Sequence, residues 1–240
     1  MKNQNQSTDN SSTADDDVNF DINYGNNFDP GDVDCDEVIN AVFLVDISTS
    51  ITSYVDDLNA AFNDFTERMQ KSHVANQLFV SIVEFASTVN TRTGFQPIAN
   101  IPKIDFRQNI GGTTALFDGA NQALDSAINY RNSLEANGVN VKTLLFIITD
   151  GDDNESTTDA SDVKAKIQDL LREEKNYFSF TSILFGVGEV ALFEKAQKDM
   201  GIQHLAKIGN TGDDIRKMIN FISASISSVS AGQGVPTPNF

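Results

Sequence analysis

The chain has 240 residues, the length of one large domain or two small ones. Its 34 acidic and 17 basic side chains give a formal net charge of −17, which excludes nucleic acid and anionic membrane surfaces as expected partners, because both require clustered Lys and Arg. Cys35 is the one cysteine, so no internal disulfide is possible, as in proteins of a reducing compartment. Neither an apolar signal segment nor a run of ~18 apolar residues is visible. These features predict a cytoplasmic protein.

The first 36 residues are rich in Asn, Ser and Asp and contain few large aliphatic side chains. Residues 1–37 hold ten carboxylates against one lysine, a net charge of −9. Such a segment buries too little apolar surface to offset the entropy lost on ordering. We predict a disordered acidic arm over residues 1–36, from which Phe20, Tyr24 or Phe28 could still dock onto a surface.

Six short apolar runs after the arm have the composition of strands. The candidates are Val38–Asp46, Gln77–Phe85, Val89–Phe95, Thr143–Asp150, Phe178–Val187 and His204–Ile208. Several of them are apolar at consecutive positions, as strands of a parallel sheet are when both faces are buried.

Segments with helical periodicity lie between the strand candidates. Their apolar stripes begin at Ile51, Leu116, Val163 and Ile215. The alternation of strands and helices predicts an α/β fold with three layers: a doubly wound, mostly parallel sheet flanked by helices on both faces. This domain is expected over residues 37–230, with a flexible tail at residues 231–240.

Three polar clusters fall at one edge of this predicted sheet. Asp46-x-Ser48-x-Ser50 follows the first strand, Gly111-Gly112-Thr113-Thr114 opens a helix, and Thr149-Asp150-Gly151 ends the most apolar strand. Open α/β sheets bind ligands at the carboxyl ends of their strands. Two carboxylates and several neutral hydroxyls at such a place suit a hard divalent cation such as Mg²⁺.

Helix capping is a simpler interpretation of each cluster taken alone. Ser48, Ser50 or Thr52 could cap the first helix, and Thr113 or Thr114 could cap the second. A cap accounts for one side-chain oxygen per helix, however. It explains neither the DxSxS spacing nor the aspartates that end two buried strands.

The stretches VFLVDISTSI, GGTTALFDGA and LLFIITDGDDN are similar to the three parts of the metal-ion-dependent adhesion site of von Willebrand factor A-type domains, and they occur in the family's order. The resemblance covers about residues 38–230. It implies that Ser48, Ser50 and a threonine bind the metal directly. It also implies that Asp46 and Asp150 are bonded to the metal or to its water ligands.

Thr114 is the favoured threonine, because the family's threonine lies six residues before an apolar helix position, here Ala120. Choosing Thr113 would place Gly119 at that position, so Thr113 stays open as the alternative. Ile47 departs from the small residue that many members carry, but its side chain can point away from the metal.

The resemblance implies a divalent-metal-dependent protein-binding module, an adaptor and not an enzyme. Mg²⁺ or Mn²⁺, held mainly by neutral hydroxyls, would take a Glu or Asp of a partner protein as its remaining ligand. Bacterial and phage-like intracellular relatives imply partners such as AAA+ ATPases, kinases or phosphatases. Residues of the Asp152–Thr158 loop and the Phe95–Ile110 segment are expected to rim the site.

Two other functions stay open. Asp46 resembles the nucleophile of haloacid-dehalogenase-type phosphatases, which are Mg²⁺-dependent hydrolases, but Ser48 replaces their general-acid aspartate. Alternatively, the metal site is vestigial, and the chain is a structural or assembly protein that binds through its acidic arm. The stretches starting at Asp32 and Asp150 resemble EF-hand calcium loops, but each lacks the required Gly. No catalytic Ser/His/Asp or Cys/His group can be assembled from the sequence.

Overall fold

The computed structural model describes residues 27–172, 179–188 and 193–238. Phe20 and Tyr24, the first two docking candidates of the arm, lie outside the described residues, as does Phe178 at the predicted start of the fifth strand.

Within these ranges the chain forms a six-stranded sheet. The strands are β1 (Glu37–Asp46), β2 (Leu78–Phe85), β3 (Val89–Pro97), β4 (Asn140–Thr149), β5 (Phe180–Val187) and β6 (His204–Ile208). Their spatial order is β3-β2-β1-β4-β5-β6, and all neighbours are parallel except β2 and β3, which form an antiparallel hairpin. The predicted doubly wound, mostly parallel sheet is confirmed.

Five α-helices cover the sheet in the described part of the chain. They are α1 (Val55–Gln70), α2 (Leu116–Ala136), α3 (Ala160–Arg172), α4 (Phe193–Met200) and α5 (Gly212–Ser230). Helices α1 and α5 pack on one face, and α2, α3 and α4 pack on the other. The sequence pattern does not predict α4, because this helix is short and buries only Phe193, Ala196 and Met200. None of the described helices combines the length and the apolarity needed to cross a membrane.

The centre of the sheet is β1, which lies between β2 and β4 and is buried from Val38 to Asp46. The chain leaves β1 towards α1 on one face and leaves β4 towards α3 on the opposite face. The loops after these two neighbouring strands therefore diverge and open a crevice at their carboxyl ends. Ligands bind at such switch points in open α/β sheets.

Residues 27–36, which the sequence pattern assigns to the disordered arm, pack against the sheet. The Phe28 amide donates a hydrogen bond to the Phe95 carbonyl (2.6 Å). The Phe28 ring meets the Phe79 ring edge to face, with 5.8 Å between the ring centroids. The physical reason is the apolar surface of β2 and β3, which Phe28 covers although most of its sequence neighbours are polar.

The predicted flexible tail, described as far as residue 238, makes contacts with the domain as far as Val235. The Ser228 hydroxyl donates to the Gly234 carbonyl (2.7 Å), and the Gln233 amide donates to the Ser228 carbonyl (3.0 Å). Val235 packs against the core cluster under α1 and α5. The segment therefore folds back onto the end of α5.

Candidate metal centre

Asp46 is the last residue of β1, and only 1% of it is exposed. Both carboxylate oxygens accept a hydrogen bond, Oδ1 from the Ser48 amide (2.8 Å) and Oδ2 from the Thr149 hydroxyl (2.6 Å). Because Thr149 ends β4, the carboxylate is held between two neighbouring strands. Sequence reasoning missed this role of Thr149. The available signal was its position next to Asp150 at the end of an apolar strand.

A row of hydrogen bonds joins the loop after β1 to the loop after β4. The hydroxyl oxygens of Ser48 and Ser50 lie 2.9 Å apart, and the Ser50 hydroxyl donates to Asp150 Oδ1 (2.6 Å). Ser50 and Asp150 are 100 residues apart in the sequence. The structure therefore brings these residues and Asp46 together, while their binding of a metal stays a prediction.

Helix capping does not engage the two serine hydroxyls. Ser48 precedes a 3₁₀ turn, Thr49–Ser53, and its side chain makes no capping hydrogen bond. Helix α1 begins only at Val55, four residues later than the sequence periodicity suggests, and it also lacks a side-chain cap. The hydroxyls of Ser48 and Ser50 are instead directed at each other and at Asp150.

The two adjacent threonines of the glycine-rich loop face different neighbours. Thr114 is buried, and its hydroxyl oxygen would lie 3.5 Å from a Cβ added to Gly151, the first residue after Asp150. The Thr113 hydroxyl instead bonds to the Ser87 hydroxyl (2.8 Å) and donates to Glu155 (3.1 Å). This geometry supports the preference for the buried threonine, whose role as a metal ligand stays a prediction.

Comparison with known protein families assigns most of the chain. The sequence model of the von Willebrand factor type A domain matches residues 40–233, which is most of the chain. The chain belongs to this family. The predicted family is thereby confirmed, and the domain is called the vWA domain below. No curated protein matches the chain.

Solved structures of other proteins share the vWA fold. Proximal thread matrix protein 1 from the mussel byssus is 20% identical, with a TM-score of 0.54 over 80% of this chain and 46% of that chain. The PilB minor pilin from Streptococcus sanguinis is 12% identical, with a TM-score of 0.56 over 81% of this chain and 62% of the pilin. A von Willebrand factor type A protein from Catenulispora acidiphila is 15% identical, with a TM-score of 0.57 over 80% of this chain and 43% of that protein. This chain therefore spans less than two thirds of each of these proteins.

Another structure of the mussel protein contains a zinc-occupied MIDAS motif, the metal-ion-dependent adhesion site. It is 19% identical to this chain, with a TM-score of 0.51. At this identity the likeness shows the fold alone. Whether this chain binds a metal therefore depends on its own side chains.

The carboxylates of Asp46 and Asp150 in the candidate site are electrostatically unfavourable to each other. Burial raises the pKa of Asp46, although hydrogen bonds from Thr149 and Ser48 oppose this rise. The charge of Asp150 raises the pKa of Asp46 further. Burial also raises the pKa of Asp150, against the hydrogen bond from Ser50. A cation would relieve the repulsion, and all predicted ligands are oxygens, so the donor set fits a hard divalent ion.

The glycine-rich loop is tied to the loop after β1. The Gly111 amide donates to the Ile47 carbonyl (3.0 Å), and the Thr49 amide donates to the Gly112 carbonyl (3.4 Å). Gly112 has φ +82°, and a Cβ at this residue would lie 2.3 Å from the Ser87 hydroxyl oxygen. Only glycine therefore fits there. These contacts hold the threonine pair that follows close to the site.

The loop after β4 caps the N-terminus of α2, which has no side-chain cap of its own. The Ser156 hydroxyl accepts hydrogen bonds from the amides of Phe117 and Asp118, both at 3.0 Å. In return, the Asp118 carboxylate accepts from the amides of Thr157 (3.0 Å) and Thr158 (2.8 Å). Partial burial would raise the pKa of Asp118, but the hydrogen bonds from these threonines lower it below its usual value.

We expect Ser156→Ala to lower the free energy of unfolding by about 1 kcal/mol, the usual effect of removing a helix cap. The physical reason is that the Asp118 amide loses its acceptor, while the Phe117 amide keeps only its longer hydrogen bond to Asp153 Oδ1 (3.2 Å). Urea unfolding followed by far-UV circular dichroism measures the change. Ser161→Ala, at an exposed position of α3, is the matched control and should leave stability almost unchanged. Equal effects of the two substitutions would contradict the capping role.

Proposed function

We propose that this vWA domain is a divalent-metal-dependent protein-binding module. A metal ion would be held by five residues of three loops: Asp46, Ser48, Ser50, Thr114 and Asp150. The remaining coordination position would be filled by a carboxylate of a partner protein. The observation that carries this proposal is the direct Ser50–Asp150 hydrogen bond, which joins two loops at the switch point of the sheet.

The ligand set supports Mg²⁺ or Mn²⁺. In the described part of the chain, no three His, Cys, Asp or Glu side chains are grouped to hold a metal. The proposed site contains only two carboxylates, and its other donors are neutral hydroxyls. A divalent ion bound there would keep part of its positive charge and would attract an anionic oxygen. This preference selects Glu or Asp side chains on a partner.

The chain's own residues orient the two carboxylates in advance. Thr149 and the Ser48 amide hold Asp46, and Ser50 holds Asp150. Hydrogen bonds of this kind fix the direction of a ligating carboxylate and support metal affinity. The cation therefore enters a site in which little side-chain freedom remains to be lost.

Loops around the site would select the partner. The Asp152–Thr158 loop lies beside it, since the Asn154 side chain accepts a hydrogen bond from the Thr114 amide (2.9 Å). The Phe95–Ile110 segment approaches the site only at its end, because β3 runs away from this edge of the sheet. The proposal also includes the cytoplasmic location expected from the sequence. It includes as well the expected partners, which are AAA+ ATPases, kinases or phosphatases.

The proposal predicts metal-dependent capture of carboxylates. Immobilised protein should bind peptides that carry exposed Glu or Asp when Mg²⁺ or Mn²⁺ is present, and EDTA should release them. Matched peptides with Gln or Asn should bind at least about tenfold more weakly, because an amide cannot neutralise the cation. Surface plasmon resonance measures both sets of peptides. Asp150→Ala should bind neither set.

Asp152→Ala is the matched control for charge. It removes one carboxylate from the same loop without removing a predicted ligand, so peptide binding should persist. Equal binding of Glu and Gln peptides would contradict the bridging role of the metal. Binding that survives both EDTA and Asp150→Ala would contradict it as well.

A further inference from the structure

Asn154, in the loop after β4, makes two hydrogen bonds to the buried threonine of the glycine-rich loop. Its Oδ1 accepts from the Thr114 amide (2.9 Å), and its own amide donates to the Thr114 carbonyl (3.0 Å). Both backbone groups of one residue are therefore bonded to a single partner that lies 40 positions away in the sequence. Two bonds between the same residues fix their orientation as well as their distance. The pair of bonds is called the Asn154 clamp below.

The two residues of the Asn154 clamp differ in exposure. Asn154 is exposed, whereas only 4% of Thr114 is exposed. An amide of a buried residue is unfavourable without an acceptor, so the bond from Oδ1 meets a real requirement of the fold. The exposed side chain of Asn154, in contrast, fills no space in the core. Its substitution therefore tests the hydrogen bond without creating a cavity.

The Asn154 clamp connects two of the loops that carry proposed ligands. The chain just after Thr114 is tied to the loop after β2, because the Ala115 amide donates to the Ala86 carbonyl (2.8 Å). This bond does not reach the loop after β4. Asn154 lies in that loop, four residues after Asp150. The clamp thus links the position of Thr114 directly to the loop that holds Asp150.

The next residue of the same loop provides an internal comparison. The Glu155 carboxylate accepts a hydrogen bond from the Thr113 hydroxyl (3.1 Å). Adjacent residues of one loop therefore contact adjacent threonines of the other. Glu155 is exposed, as Asn154 is, but it bonds to the threonine that is not among the five proposed ligands. The two side chains form a matched pair for substitution.

We propose that Asn154 is a positioning residue of the metal site, which holds Thr114 at the spacing from Asp150 that a small cation requires. Residues that orient a ligand from behind support metal affinity. Mg²⁺ requires six oxygens at about 2.0–2.1 Å, whereas Ca²⁺ accepts flexible sites at about 2.3–2.6 Å. A clamped threonine therefore favours Mg²⁺ over Ca²⁺. This inference rests on the proposed metal-dependent function.

The first test compares Asn154→Ala with Glu155→Ala in the full chain. We expect Asn154→Ala to weaken Mn²⁺ binding about tenfold, the usual effect of removing a group that orients a metal ligand. Glu155→Ala should change the affinity less than about twofold at about 0.15 M salt, because an exposed charge is screened. Electron paramagnetic resonance of free Mn²⁺ measures both. A larger effect of Glu155→Ala would indicate that Thr113 is the residue that needs support, and would overturn the inference.

Ion selectivity separates positioning from a general loss of structure. Displacement of bound Mn²⁺ by Mg²⁺ and by Ca²⁺ gives the affinity of each ion. The ratio of Mg²⁺ to Ca²⁺ affinity should fall in Asn154→Ala, because a released threonine lets the site expand. Asn154→Asp keeps an acceptor oxygen at the same atom and should retain at least the wild-type Mn²⁺ affinity. An equal loss of both ions, or no rescue by Asn154→Asp, would contradict a positioning role.

The Asn154 clamp can also be measured without metal. In EDTA, the Thr114 amide should exchange its hydrogen faster in Asn154→Ala than in the wild type, and Glu155→Ala should leave it unchanged. Nuclear magnetic resonance measures this exchange. Faster exchange together with wild-type Mn²⁺ affinity would overturn the positioning role and leave the proposed function standing. Unchanged exchange would overturn the clamp itself. Absence of Mn²⁺ binding by the wild type would overturn both proposals.

Discussion

Saturating Mg²⁺ or Mn²⁺ should raise the thermal unfolding temperature of this protein by about 5–10 °C, and Asp150→Ala should abolish the increase. A ligand that binds only the folded state at one hundred times its Kd stabilises it by about 2.7 kcal/mol. One kcal/mol shifts the unfolding temperature of a domain of this size by about 2–4 °C. The effect arises because the cation relieves the repulsion between Asp46 and Asp150, both of which have raised pKa values.

Differential scanning fluorimetry with added metal or EDTA measures this shift. In EDTA, Asp150→Ala should be at least as stable as the wild type at neutral pH. The sign follows from the raised pKa of Asp150, because such a carboxyl stabilises the fold only at a pH low enough to protonate it. An equal metal-dependent shift in wild type and variant would show that the cation binds elsewhere. No shift in the wild type would favour a vestigial site.

Glu84→Ala should lower the free energy of unfolding by about 3–5 kcal/mol, the usual result of breaking a buried ion pair. The Glu84 side chain is fully buried, and its Oε1 accepts from Arg92 Nη1 (2.7 Å). Its Oε2 accepts from Asn109 Nδ2 (2.8 Å), and Arg92 also bonds to Gln108 (2.9 Å). The substitution would leave a guanidinium that is only 17% exposed without its carboxylate.

Urea unfolding measures the effect of Glu84→Ala, and an exposed ion pair provides the control. Arg107 pairs with Asp56 at 2.8 Å, but its side chain is 56% exposed, so Arg107→Ala should change stability little. Asn109 loses its hydrogen-bond acceptor in Glu84→Ala and lies just before the glycine-rich loop in the sequence. The substitution should therefore also weaken Mn²⁺ binding. Similar stability of the two variants would contradict the importance of the buried pair.

The strands of this domain are visible in the sequence because their signal is local. A central parallel strand buries both faces, so runs such as Phe43–Val45 and Leu144–Ile148 are apolar at every position. Predicted and observed strand bounds differ by at most three residues. Helix α4 escapes prediction because eight residues with three buried side chains carry too little periodicity. Phe28 is similarly isolated among polar neighbours, so the sequence indicates that it could dock but not that β2 and β3 are the surface it covers.

The part of the candidate site that follows from the geometry of a parallel sheet was predictable from the sequence. Asp46 and Asp150 each end or directly follow a buried strand, and the carboxyl ends of parallel strands meet at one edge. The DxSxS spacing then places Ser48 and Ser50 beside the first aspartate. The choice between Thr113 and Thr114 depends on which hydroxyl lies beside Gly151, next to Asp150, and which one is bonded to Ser87 and Glu155. Both features follow from contacts with residues far away in the sequence.

The sequence by itself thus determined the layered α/β fold, the order of its strands along the chain and the edge at which the polar side chains of the candidate site gather, because these depend on periodicity and on strand ends. Only the tertiary structure decided which groups orient those side chains and support their loops. Thr149 beside Asp46, Ser156 on the first turn of α2 and Glu84 behind the glycine-rich loop are such groups. Most of these contacts join residues far apart in the chain, and their side-chain directions are set by packing, which no local pattern records.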